Sequence, residues 1–228
     1  MRSIRKYTLW PVCFRLDGLI HSCFSTIVTF LIDPLIEPPA LLSRKTALSK
    51  PSPIPNLPGV YAWFFQEVPP GVPVKGCAVK EGRTLLYAGI SPSRAKSTQS
   101  LRKRITYHYR GNAAGSTLRL TLGVLLAAQS GFPLRRVGSG KRLTFTHLGE
   151  QWLDDWMEQN AHVCWIEHPE PWRVERALFQ RVSLPLNIQD NRHHPFSTQL
   201  SEIRSAAKRE AKEQPIAHEG NQQRLMNI

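Results

Sequence analysis

From Ile54 onward the chain alternates short runs dense in aromatic and β-branched residues with longer stretches whose apolar positions fall three or four apart. "GVYAWFFQEV", starting at Gly59 and closed by "VPPGVP", has the composition and length of a strand. "RTLLYAGI", starting at Arg83, is a second such run, and the two predict an antiparallel pair with a long connection over 69–82. In "SLRKRITYHYRG" Leu101, Ile105 and Tyr109 recur at helical spacing and Gly111 is a stop signal. "STLRLTLGVLLAAQS" predicts another helix, and "LRRVGSGKRLTF" a hairpin turning near Gly138 to Gly140. "GEQWLDDWMEQN" is an amphipathic helix, "AHVCWIEH" a third strand, and "PWRVERALFQRV" a helix opening on Pro171. "LPLNIQDNRHHPF" then reads as irregular or extended, and "SEIRSAAKREAKEQ" as a solvated helix fraying into disorder.

The pattern predicts an α/β (α+β) domain: a small central, mainly antiparallel three-stranded sheet flanked by helices, with an added hairpin. Its boundaries follow from the flanks. "SKPSPIPNLPG" carries four prolines and reads as an extended linker. Ahead of it, "GLIHSCFSTIVTFLI" is free of charge over 18–32, shorter than the ~20 residues that span a bilayer, and no A-x-A-like cleavage site follows. The expected organisation is a poorly ordered extension and linker over 1–53, a folded domain over 54–200, and a helical or disordered tail over 201–228. No membrane partner is expected. The four cysteines, Cys13, Cys23, Cys77 and Cys164, form no C-x-x-C pair. They argue against a disulfide framework or a zinc site and fit a reducing, cytoplasmic location.

Charge changes the picture through its distribution. The formal net charge is +13, yet between Gly82 and Gly149 there are twelve Lys/Arg and no Asp or Glu. Such a local excess draws in a polyanion, above all nucleic acid, through phosphate contacts and counterion release. Arg102, Lys103, Arg110, Arg119, Arg135, Arg136, Lys141 and Arg142 are the candidate nucleic-acid-binding residues. The "GSGK" of the hairpin is not a phosphate loop, because the full G-x-x-x-x-G-K-[ST] pattern is missing.

The candidate chemistry starts from two tyrosines, each on a predicted strand near a glycine: Gly59 to Tyr61 as "GVY" and Tyr87 to Gly89 as "YAG". The helix after the second strand places Arg104 and His108 at i and i+4, on one face. Later, Glu175 lies inside "VERALFQ" and Asn187 in "PLN". In this order, and on these elements, the residues resemble the signature of the GIY-YIG nuclease superfamily, over roughly 54–196. His108 matches a histidine of some restriction-enzyme members.

The resemblance implies a metal-dependent endonuclease that hydrolyses DNA phosphodiester bonds with a single divalent cation, Mg²⁺ or Mn²⁺. The implied catalytic residues are Tyr61, Tyr87, Arg104, His108 and Glu175, with Glu175 the metal ligand and Gly59, Gly89 and Asn187 structural around them. Tyr61 would take the proton from water and Tyr87 would position water or phosphate. Arg104 would hold the scissile phosphate, and His108 would assist Tyr61 or replace it as base. Two alternatives share the electrostatics: a non-catalytic nucleic-acid-binding protein on the same fold, and a nuclease directed at RNA. Cutting both strands with one active site calls for a homodimer or for two visits.

Overall fold

The computed structural model describes residues 31–94 and 97–219. The strands are β1 (Leu42–Ser43), β2 (Gly59–Phe65), β3 (Val79–Lys80), β4 (Arg83–Ser91), β5 (Arg135–Val137), β6 (Arg142–Thr144) and β7 (Ala161–Glu167). After a helical turn at 31–36, the helices are α1 (Arg44–Ala47), α2 (Leu101–Arg110), α3 (Thr117–Leu125), α4 (Ala127–Ser130), α5 (Thr146–Asn160), α6 (Pro171–Arg181) and α7 (Ser197–Glu213).

The central sheet is antiparallel in the order β1-β7-β2-β4-β3, and β5-β6 forms the separate expected hairpin. The α/β architecture is as expected, but the sheet has five strands rather than three. The two extra strands, β1 and β3, are two residues long, too short to leave a period in the sequence.

All seven residues of β2 are buried, because helices cover both faces of the sheet. That is why its apolar run is continuous instead of alternating. On one face Tyr61, Trp63, Phe65 and Tyr87 pack with Leu101, Ile105 and Tyr109 of α2 and with Leu153 and Met157 of α5. On the other, Val60, Ala62, Phe64, Leu85 and Ala88 pack with Val174, Leu178 and Phe179 of α6.

Two boundary expectations need correction. From residue 31 the segment before the domain is part of the fold, where a loose lead-in over 1–53 was expected. Ile32 and Leu35 are buried against the α6 face, β1 pairs with β7, and Arg44 ion-pairs with Asp154 and Glu158 at 3.6 and 3.2 Å. Residues 1–30, which hold most of the charge-free stretch, lie outside the described residues. At the other end α7 is a packed helix with Leu200 and Ala211 buried, where a solvated helix was expected. Among the described residues no helix is long and apolar enough to cross a membrane.

The free upper edge of β4 is closed by a side chain. Beyond β3, β4 has no strand on its outer side among the described residues, and an open edge leaves backbone donors and acceptors unpaired. Asn187 supplies the missing peptide: its Oδ1 accepts from Ala88 N at 2.9 Å and its Nδ2 donates to Ala88 O at 2.7 Å. Leu186 N adds a bond to Leu86 O at 3.1 Å. Asn187 thus anchors the strand that carries Tyr87 and Gly89.

Candidate active site

Register brings the two tyrosines together. Tyr61 of β2 sits opposite Gly89 of β4, and Trp63 opposite Tyr87, so both tyrosines project from one face of the sheet. Gly89 is required by this pairing. A Cβ there would stand 2.5 Å from the Tyr61 hydroxyl, so the glycine is the space in which the phenol lies. Gly59 is required by the neighbouring strand and helix, since its Cβ would collide with Ile166 O and the Leu101 side chain.

Helices α2 and α3 surround the tyrosines. Ser100 caps α2 through Lys103 N, which starts the helix so that Arg104 and His108 face the sheet. His108 is fully buried, with Nε2 2.9 Å from the Tyr61 hydroxyl and Nδ1 2.7 Å from Ser116 Oγ. Ser116 is also the N-cap of α3, accepting from Arg119 N at 3.1 Å. The next residue, Thr117, places its hydroxyl 3.3 Å from that of Tyr87. One helix start thereby fixes the histidine behind one tyrosine and the hydroxyl beside the other. Arg104 donates to Gly115 O at 3.1 Å.

A cleft of about 1110 Å³ opens along the edge of β4, lined by Tyr61, Tyr87, Gly89, Arg104, Glu175 and Asn187. Gly59 and His108 stand behind it. The five proposed catalytic residues are therefore close together, but four of them line the cleft and His108 lies behind it, in contact with Tyr61. With both ring nitrogens engaged and no exposed surface, His108 cannot meet a water directly.

The electrostatics follow from burial. The Tyr61 hydroxyl is raised far above the ordinary tyrosine value, first by burial and then by Tyr87, while Arg104 pulls it down. Tyr87 is raised for the same first reason, with Thr117 and Arg104 opposing. Burial, then Arg104 and Arg119, hold the His108 imidazole well below its usual value, so it is neutral. Glu175 is pushed up to about 7, mainly by burial and further by Asp190.

Among the described residues no three His, Cys, Asp or Glu side chains gather as a metal cluster. The donors that do face the cleft are the carboxylates of Glu175 and Asp190. Such a set fits a hard divalent cation that keeps most of its waters and leans on substrate oxygens, and a Glu175 carboxylate strained by burial and by a like charge gains from that cation.

None of the eight expected nucleic-acid-binding cations lines the cleft. Arg119 needs outright correction. It is completely buried, bound to Glu150 at 2.7 Å and Asp154 at 2.8 Å, and donates to the carbonyls of His108 and Tyr109. It ties α2 to α5 and cannot touch a phosphate. Arg102 donates to Ile54 O at 2.7 Å and Lys103 to Thr98 O at 3.1 Å. Arg135 and Arg136 hold the segment after α7, through Pro215 O at 3.0 Å and Gln214 O at 2.7 Å. Arg110, Lys141 and Arg142 are exposed. The cleft has cations that sequence reasoning missed, Arg192 and Arg204, with Trp172 and His193 beside them. For Arg204 a signal existed in the helical spacing of Arg204, Lys208 and Lys212.

The family model described as GIY-YIG catalytic domain matches residues 59–206. No curated protein and no solved structure matches the chain.

Proposed function

Since the chain belongs to the GIY-YIG catalytic domain family, with a nuclease-type fold whose substrate is nucleic acid, we propose that it is a metal-dependent endonuclease cutting DNA phosphodiester bonds at the β4 cleft. The observation that carries this reading is the convergence of Tyr61, Tyr87, Arg104 and Glu175 on one cleft from four separate elements.

Each side chain has a role its chemistry suits. Arg104 presents an always-charged planar fork that grips the scissile phosphate and holds the charge that develops on it. Glu175, in its ionised form, would hold the cation, Mg²⁺ or Mn²⁺. When bound there, a divalent ion withdraws charge from a phosphate oxygen and lowers the cost of attack. Tyr61 faces the cleft and takes the proton of the attacking water as the phenolate, its own proton first lost to solvent and the anion favoured by the neighbouring Arg104, with His108 holding the oxygen in line. His108 is a positioning residue in this scheme, because its burial beside two arginines opposes the imidazolium that a full proton transfer would create. Tyr87, tethered to Thr117, orients water or phosphate. The catalytic unit extends over the packed residues around 59–206, and residues 31–53 brace it.

The test is nicking of supercoiled plasmid by the full chain with Mg²⁺ or Mn²⁺ and with chelator, beside Glu175→Ala and Arg104→Ala. Metal-dependent nicking lost in both variants is the expected result. Cutting that survives Glu175→Ala would show that the site is misplaced. Salt-sensitive DNA binding without any nicking would replace the enzyme by a binding module, and cleavage of RNA alone would replace the substrate.

A further inference from the structure

Helix α7 divides into three faces at 100° per residue. Leu200, Ile203, Ala207 and Ala211 form the face against the body of the protein, where Leu200 and Ala211 are buried. Glu202, Glu210 and Glu213 fall on another, and Glu210 and Glu213 line a separate groove near β5. Arg204, Lys208 and Lys212 occupy the third at i, i+4 and i+8, a single stripe roughly opposite the acids. The stripe begins inside the catalytic cleft, because Arg204 lines it together with Tyr87 and Arg104.

Two observations show that these cations lack compensation. Among the described residues the Arg204 guanidinium has no carboxylate within ion-pair distance and no hydrogen-bond acceptor, although it is half-buried. Lys208 is depressed by burial and then by both Arg204 and Lys212, so it stands between two like charges. A half-buried cation without a counter-ion is costly, and more so with like charges beside it, unless an anion arrives to occupy it. Burial lowers Arg204 in the same sense, while Tyr87 opposes it. The spacing along the helix, about 6 Å per step from 1.5 Å per residue, suits a chain of successive charges better than a single small anion.

We propose that Arg204, Lys208 and Lys212 form a phosphate track that carries the substrate backbone out of the catalytic cleft along α7. The inference rests on the nucleic-acid reading of the cleft, though not on catalysis. Arg204 is the inner end of the track and holds a phosphate next to the one gripped by Arg104. Lys208 and Lys212 hold those further along. The track gives the site a directional footprint on its substrate, which the expected basic stretch at 82–149 does not supply, because none of the eight cations expected to bind nucleic acid there lines the cleft.

The test measures the salt dependence of binding by the full chain carrying Glu175→Gln, in chelator, to labelled duplex DNA and to duplex and single-stranded RNA. Removing one cation that neutralises a phosphate lowers the slope of log K against log[salt] by about one. Arg204→Ala is expected to remove about one unit of slope. The triple variant Arg204→Ala, Lys208→Gln, Lys212→Gln is expected to remove about two to three units on the probe that binds. Arg204→Lys, with α7 packing and charge kept, retains most of the slope. Lys45→Gln, Lys50→Gln and Lys75→Gln together remove the same charge elsewhere and leave the slope in place. An unchanged slope in the triple variant, an equal drop in the Lys45, Lys50, Lys75 control, or no binding to any probe overturns the track. In the active protein Arg204→Ala raises KM more than it lowers kcat, the reverse of Arg104→Ala. If binding is salt-dependent but no preparation cuts, the nuclease reading fails alone and the slopes still decide the track.

Discussion

Tyr61 and Gly89 act as one unit: the phenol of one strand lies in the space left by the missing side chain of the next. Gly89→Ala places a methyl 2.5 Å from the Tyr61 hydroxyl and must push it off His108. The expected cost is about 1–3 kcal/mol of stability, as for other overpacked sites, together with loss of plasmid nicking; wild-type nicking by this variant would mean that Tyr61 need not sit where it does. Glu175 makes a second prediction at this scale. Its carboxyl is raised to about 7 in the folded protein, against an unfolded value near 4.5. Between those values the native state binds the extra proton, so the group's contribution to stability is intact below about 4.5 and lost as pH rises through 7. In chelator, Glu175→Gln should therefore be more stable than wild type at pH 8, by about 1–2 kcal/mol after allowing for its partial solvent exposure. The gain should vanish below pH ~4.5. Denaturant titration at the two pH values checks it, and saturating Mg²⁺ should narrow the gap by stabilising only the wild type.

At the scale of elements, the site depends on how ends and edges are finished. The start of α3 supplies Ser116 to His108 and Thr117 to Tyr87, and the open edge of β4 is closed by the Asn187 amide. That amide both donates and accepts, which a carboxylate cannot do. Asn187→Asp sets an oxygen against Ala88 O and is expected to cost about 2–4 kcal/mol, no less than Asn187→Ala at about 1–3. Thermal unfolding compares the two. If Asp is tolerated better than Ala, the amide is not acting as a surrogate strand. The buried Arg119 performs a related service between α2 and α5, and its two carboxylates explain how an arginine can be wholly dry.

At the scale of the whole molecule, the sheet is sandwiched between helices, and residues ahead of the nuclease signature complete one of its layers. Leu35 is fully buried in the core under α6. Leu35→Ala is expected to lower stability by about 2–4 kcal/mol, a loss that a loose leader would not show; a chemical-denaturation midpoint equal to wild type would return the segment to the status of a linker. Local periodicity and end signals settled the strands β2, β4 and β7, the hairpin, and helices such as α2 and α6, because side-chain spacing and capping are properties of neighbours in sequence. The order of Tyr61, Tyr87, Arg104, Glu175 and Asn187 was legible for the same reason, as a motif along the chain. Pairing between distant segments decided the rest. Two-residue β1 and β3 exist only through their partners, and Leu35 reads as leader until β7 and α6 enclose it. Arg119 counts as a surface cation until Glu150 and Asp154 fold over it. Sequence determined that the basic excess exists; only the tertiary structure decided which cations line the cleft, since burial and ion pairing depend on groups that the chain holds far apart.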